Sequence, residues 1–292
     1  MKNNLKTVVL LGALAGLMVG LGNLLGGRGG AIIGLIMATF MNMGAYWYSD
    51  KIALRMSRAR PLGRSEAPEL YTMVESLANR ADLPMPNLFI IPSEQPNAFA
   101  TGRNPSHAAV AVTEGILKML SPEELQGVIA HELAHVRNRD ILITSVAATI
   151  AGAISFFASM ARWGAMFGGM GGDDDDNRGG IIGLLVGMIV APIAAVILQM
   201  ALSRSREFQA DATGAEIAGR PQGLASALRK LERGAQQIPM PVNPSAAPMF
   251  IVNPLRGRFA RGAGHLFSTH PPTEERVRRL EQMAGMSIHP TF

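Results

Sequence analysis

"LSPEELQGVIAHELAHVRNRDILITSVAATI", residues 120–150, opens like a water-soluble helix and ends apolar enough for lipid. Ser121 is placed as an N-cap, Pro122 fits the first turn, and Glu124 can complete a capping box. His131, Glu132 and His135 then fill an H-E-x-x-H pattern. Residues four apart share a helix face, so both imidazoles can turn toward one Zn²⁺. Glu132, beside them, is free to hold a water in place of the metal. Arg137, Arg139 and Asp140 set the depth of the motif, because charges inside lipid are costly, and the apolar run starts at Ile141.

Two histidines do not complete a catalytic zinc site, which takes three protein ligands and one open position. The chain has no cysteine, so the remaining ligand must be a histidine or a carboxylate. Downstream of His135 the sequence enters the membrane, which places the third ligand beyond a membrane hairpin. The chain returns as "QMALSRSREFQADATGAEIAG", residues 199–219, with Glu207 and Asp211 four apart on one helix face. That pair suits Glu207 as ligand and Asp211 as acceptor for the N–H of a ligand histidine. On this reading the two legs of the hairpin emerge side by side. One carries the histidines and the base, the other the carboxylate.

Composition agrees with a membrane location. Hydrophobic residues make up 48% of the 292-residue chain and charged ones 17%, against roughly a quarter in soluble domains. About 20 apolar residues span a bilayer, which gives roughly four candidate spans at 7–25, 31–47, 141–163 and 181–202. Tyr46, Trp47 and Tyr48 anchor the second at an interface, and Pro192 kinks the fourth. Ala13-Leu14-Ala15 resembles a cleavage site, but it lies inside an apolar run and reads as part of an uncleaved anchor. Lys51, Arg55, Arg58, Arg60 and Arg64 follow the second span, Arg137 and Arg139 precede the third, and Arg204 and Arg206 follow the fourth. The hairpin loops "GGRGG" (26–30) and "GGDDDDNRGG" (171–180) are nearly neutral and acidic. The positive-inside rule therefore puts both termini and the metal motif in the cytoplasm. Asp173–Asp176 lacks the spaced ligands of a calcium loop and reads as a solvated outer turn.

Four parts follow: two N-terminal spans (1–49), a cytoplasmic part with the H-E-x-x-H helix (50–140), a membrane hairpin (141–202) and a second cytoplasmic part (203–292). "PNLFIIPS" (86–93) and "HAAVAVT" (107–113) read as strands, and the loop between them leaves room for a short edge strand. A helix covers "GLASALRKLERGA" (223–235), and residues 239–264, rich in Pro and Gly, read as a mobile loop. A last helix runs from Thr273 to about Met283. "RGRFARGAG" (256–264) reads as a basic loop facing anionic headgroups, not as a nucleic-acid site.

With H-E-L-A-H-V-R-N-R-D at 131–140 and S-R-S-R-E-F-Q-A-D at 203–211, the chain resembles the HtpX family of membrane zinc metalloproteases, relatives of the CAAX prenyl protease 1 family. "NAFATG" (97–102) and "STHPPTEER" (268–276) resemble that family's cleft-lining and C-terminal motifs. The resemblance covers nearly the whole chain. It implies an α+β membrane protein, with a cytoplasmic zincin-like (gluzincin) domain that is mostly α with a small sheet. It also implies one zinc held by His131, His135 and Glu207, with Glu132 as acid/base. The implied activity is ATP-independent endopeptidase cleavage of proteins or peptides, chiefly misfolded membrane proteins under stress, in the inner membrane. His270 and Arg276 would flank the scissile carbonyl, and Asn97, Ala98 and Phe99 would meet substrate backbone, as an edge strand can. Judged by their own positions, Arg276 is a solvated helix residue, His270 braces a Pro-Pro turn and Asn97 forms a turn. Two other readings stay open: a membrane scaffold with a structural zinc, which needs four protein ligands, and an intramembrane protease, which needs H-E-x-x-H inside a span.

Overall fold

The computed structural model describes residues 2–150, 204–243, 246–255 and 271–287. Several expectations lie outside these residues: the span at 181–202, most of the span at 141–163, the Asp173–Asp176 turn, the basic loop at 256–264, and His270.

The N-terminal element, α1 (Lys2–Met56), folds back on itself at Gly27, whose φ of +55° suits a residue without a side chain. The two limbs touch through small residues. A Cβ on Gly34 would stand 2.3 Å from the Met18 carbonyl oxygen, and Asn42 Nδ2 donates to the Leu11 carbonyl at 3.1 Å. This is the helical hairpin expected around "GGRGG". Its second limb, Gly27–Met56, is 30 residues long and apolar enough to cross a membrane. Ile32, Ile33 and Phe40 project from it, largely exposed among the described residues. The limb outlasts the expected span because nothing stops the helix before Arg58. There a left-handed φ of 55° and a bond from Ala59 N–H to the Leu54 carbonyl close it.

Four strands follow: β1 (Arg60–Pro61), β2 (Asn87–Ile91), β3 (Ala98–Gly102) and β4 (Ala108–Thr113), in the order β1-β2-β4-β3. β2 runs parallel to β4 with Asn87 opposite Ala109, and β3 runs antiparallel to β4 with Ala98 opposite Val112. β3 is thus the expected edge strand. Both faces of the sheet are covered. Leu88, Ile90, Ala98, Ala100, Val110 and Val112 point into the main helical core. Ile91, Phe99, Ala109 and Ala111 point the other way, onto Ala53 and Leu54 of α1 and onto Met240, Met249 and Phe250. Alternate residues of a strand serve opposite faces, so this small sheet ties α1 to the main helical core.

The helices are α2 (Pro68–Arg80), α3 (Glu114–Met119), α4 (Pro122–Arg137), α5 (described over Ile141–Ile150), α6 (Arg204–Ala218), α7 (Gln222–Gln237) and α8 (Thr273–Ser287). The capping box at α4 is present: Glu124 N–H donates to Ser121 Oγ at 3.3 Å, and Ser121 N–H donates to Glu124 Oε2 at 2.8 Å. α4 crosses two neighbours at glycines. A Cβ on Gly214 of α6 would lie 2.9 Å from His131 Cα, and one on Gly127 would lie 2.5 Å from Leu224 N of α7. These close approaches bring α6 against the histidine face of α4. The stretch after α7 departs from the mobile loop expected there. Met240, Val242, Met249, Phe250, Ile251 and Val252 are buried, because an apolar run lies among its prolines and packs on β3.

Candidate metal centre

α4 presents His131 and His135 on one face, and α6 presents Glu207 opposite them. One donor atom from each of the three residues lies within 4.8 Å of the other two. The two Nε2 atoms are 3.2 Å apart, and Glu207 oxygens stand 3.6 Å from His135 Nε2 and 3.9 Å from His131 Nε2. Tetrahedral zinc with bonds of 2.0–2.1 Å sets its donors about 3.3 Å apart, so this cluster matches the size of such an ion. With Nδ1 of each ring turned to a carboxylate, both Nε2 atoms face Glu207 across a gap that suits a shared cation. The residues present therefore fit a metal.

Behind each histidine stands a carboxylate. Asp211 Oδ1 lies 3.0 Å from His131 Nδ1, the place expected from its spacing to Glu207. Arg276 grips Asp211 with two bonds, Nε to Oδ2 at 2.9 Å and Nη2 to Oδ1 at 2.7 Å, and donates Nη1 to the Ile251 carbonyl at 3.0 Å. Arg276 is only 1% exposed, which corrects its reading as a solvated helix residue. The first turn of α8 carries it inward, where Asp211 compensates its charge. On the other side, Asp140 Oδ2 lies 3.3 Å from His135 Nδ1, and Arg206 Nη1 lies 4.0 Å from Asp140 Oδ1. Asp140 and Arg206 were legible in sequence only as charges that set membrane depth and orientation.

Burial and charge tune the titratable groups. Burial pushes Glu132 up to about 7, His135 opposing and Glu207 adding, while the carboxylate accepts a backbone hydrogen bond from Ala100. Burial lowers His131 to about 4, against the pull of Asp211. Burial would lower His135 too, but the Asp140 hydrogen bond and the Glu207 and Glu132 charges raise it to about 9. Burial raises Asp211, yet the Arg276 charge and hydrogen bonds outweigh that and hold it at about 2. A carboxylate poised near neutrality beside a histidine pair is what proton transfer at pH 7 requires.

A small pocket, about 20 Å³, opens on the cluster, lined by Glu132, Ala100, Met249 and Phe250 together with Ile141 and Thr144 of α5. Its wall thus includes the first turn of α5. Ala100 is the β3 residue on this wall. Asn97, Ala98 and Phe99 instead hold residues 250–252 in place. Asn97 Nδ2 donates to the Val252 carbonyl at 2.8 Å, Ile251 N–H donates to the Ala98 carbonyl at 3.0 Å, and Phe99 meets Phe250 edge to face at 5.0 Å.

The profile of Peptidase family M48 matches residues 64–284, a stretch that contains every element of the centre. The chain belongs to peptidase family M48. Its M48 relatives include proteins named "Protease HtpX homolog" from Desulfatibacillum aliphaticivorans, 57% identical over 280 residues, covering 96% of this chain and 89% of that one. The relative of the same name from Syntrophotalea carbinolica is 58% identical over 282 residues, covering 96% and 99%. Among solved structures, the crystal structure of S. mikatae Ste24p superposes with a TM-score of 0.51 at 21% identity, covering 96% of this chain and 66% of that longer one. It carries the fold alone. Membership in M48 makes this chain a metal-dependent membrane peptidase, and the His131, His135 and Glu207 cluster is where its described residues could hold the metal.

Proposed function

We propose that the chain is a zinc endopeptidase that cleaves membrane proteins at the cytoplasmic face, with one zinc held by His131, His135 and Glu207. The observation that carries this reading is the gathering of those three donors within 4.8 Å, with Glu132 beside them and a pocket in front. Zinc, when bound, polarises the scissile carbonyl and acidifies water. Glu132 accepts the proton of the attacking water and delivers it to the leaving amine, a transfer its position near neutrality suits. Asp211 and Arg276 hold His131 in the tautomer that offers Nε2 forward. Arg276 also brings positive charge to 3.9 Å from Glu207, and His270, outside the described residues, would steady the oxyanion.

Four spans, with the cytoplasm around the basic ends, remain part of this proposal. Its support is the fold-back of α1, the cationic cluster from Lys51 to Arg64, and the pocket wall built from the root of α5. That wall favours substrates presented from the bilayer surface, misfolded membrane proteins among them. A structural zinc fits less well. Among the described residues three ligands gather, not four, and Glu132 would have no task.

The test is Glu132→Gln in detergent-purified full-length protein. It should keep its zinc and lose casein cleavage by about 10²–10⁴-fold. Cleavage at the parental rate refutes the assignment.

A further inference from the structure

We propose that Asp140 and Arg206 form a second positioning brace for the metal centre, at the root of the membrane hairpin, acting on His135 as Asp211 and Arg276 act on His131. This rests on the reading that His135 is a metal ligand.

The join between α4 and α5 builds the first half. α4 ends at Arg137, Arg139 turns through a left-handed φ of 57°, and Asp140 N–H donates back to the His135 carbonyl at 2.9 Å. That turn carries the Asp140 side chain under the ring it follows, Oδ2 reaching His135 Nδ1 at 3.3 Å. The Asp140 carbonyl meanwhile accepts Thr144 Oγ1–H at 3.1 Å, which fixes Asp140 to the first turn of α5. A histidine that binds metal through Nε2 carries its proton on Nδ1, and a carboxylate there fixes both tautomer and ring angle.

Arg206 supplies the other half. It lies on the first turn of α6, next to Glu207 in sequence, and is buried with Nη1 4.0 Å from Asp140 Oδ1. Asp140 belongs to the leg that enters the hairpin and Arg206 to the leg that returns. Their pairing locks together the two segments that deliver the ligands. A shift between those legs reaches His135 through one carboxylate. Asp140 and Arg206 are positioning residues, since neither lines the pocket.

The experiment follows zinc release from detergent-purified full-length protein to a chromogenic chelator, with kcat and KM for casein measured alongside. Asp140→Asn, nearly isosteric, should release zinc about 10–100-fold faster than wild type and lower kcat with KM within about twofold. Asp140→Glu, which keeps the acceptor, should recover most of the loss, and Arg206→Gln should accelerate release less, in the same direction. Arg206→Gln carries the test if Asp140→Asn fails to fold, as circular dichroism will tell. Wild-type release rates in both Asp140→Asn and Arg206→Gln overturn the brace and leave the zinc reading intact. A wild type that holds no zinc overturns the zinc reading itself.

Discussion

His131 and His135 sit one turn apart on α4, yet their surroundings differ in kind. The His131 side chain is 1% exposed, and its partner Asp211 is held by the two-bond grip of Arg276. The His135 side chain is 16% exposed, and its partner Asp140 meets Arg206 only at 4.0 Å. The first brace ties α4 to α6 and α8. The second ties the join of α4 and α5 to α6. One ligand is thus set by packing among three helices and the other by the turn that leads into α5. The difference extends to protons: His131 is lowered to about 4 and stays neutral, whereas His135 is raised to about 9 and keeps a proton until metal displaces it.

The largest effect expected is on the tight side. Asp211→Ala takes from the buried Arg276 its two-bond partner and leaves it Glu207 at 3.9 Å, a loss of up to about 3–5 kcal/mol in stability. Thermal unfolding of the zinc-free protein should register it. An equal loss in Asp140→Ala would erase the asymmetry between the braces.

Next is the pH dependence of zinc affinity. Zinc takes the neutral imidazole, so a ring raised to about 9 must give up its proton on binding. Affinity should therefore climb with pH by about tenfold per unit and level off near pH 9, and calorimetry in buffers of different ionisation enthalpy should count the proton released. A flat profile between pH 7 and pH 9 places no proton on His135 and removes the contrast.

Smaller again is the packing that supports His131. A methyl group on Gly214 would sit 2.9 Å from the His131 backbone, so Gly214→Ala should cost about 1–3 kcal/mol and lower zinc occupancy by moving α6 off α4. Gly285→Ala in α8 is its control. Among the described residues nothing lies within 4 Å of the added carbon, and the exchange should be neutral or gain up to about 1 kcal/mol.

What the sequence displayed was whatever a single helix or strand can encode. The H-E-x-x-H face, the Ser121–Glu124 box, the strands at 87–91 and 108–113, and the Glu207/Asp211 spacing are patterns within one element. α2 was not read from the sequence, although its buried Leu70, Val74 and Leu77 recur at helical spacing. The rest depends on where distant elements meet. Arg276 follows Asp211 by 65 residues, and no local rule marks it as buried. Asp140 reaches His135 only because Arg139 takes a left-handed conformation that its residue type does not demand. The stretch from Met249 to Val252 advertised itself by its prolines more than by its apolar side chains, although the latter decide its packing on β3.

Everything rests on α4 and α6 sharing one cation, and among the described residues Glu207 is the one candidate ligand from α6. The most direct test is the zinc content of the dialysed, detergent-purified Glu207→Gln variant beside wild type, by mass spectrometry of the metal. The account predicts about one zinc per chain in wild type and little in the variant. A variant that retains as much zinc as wild type would contradict it, because the centre would then be built without the returning helix.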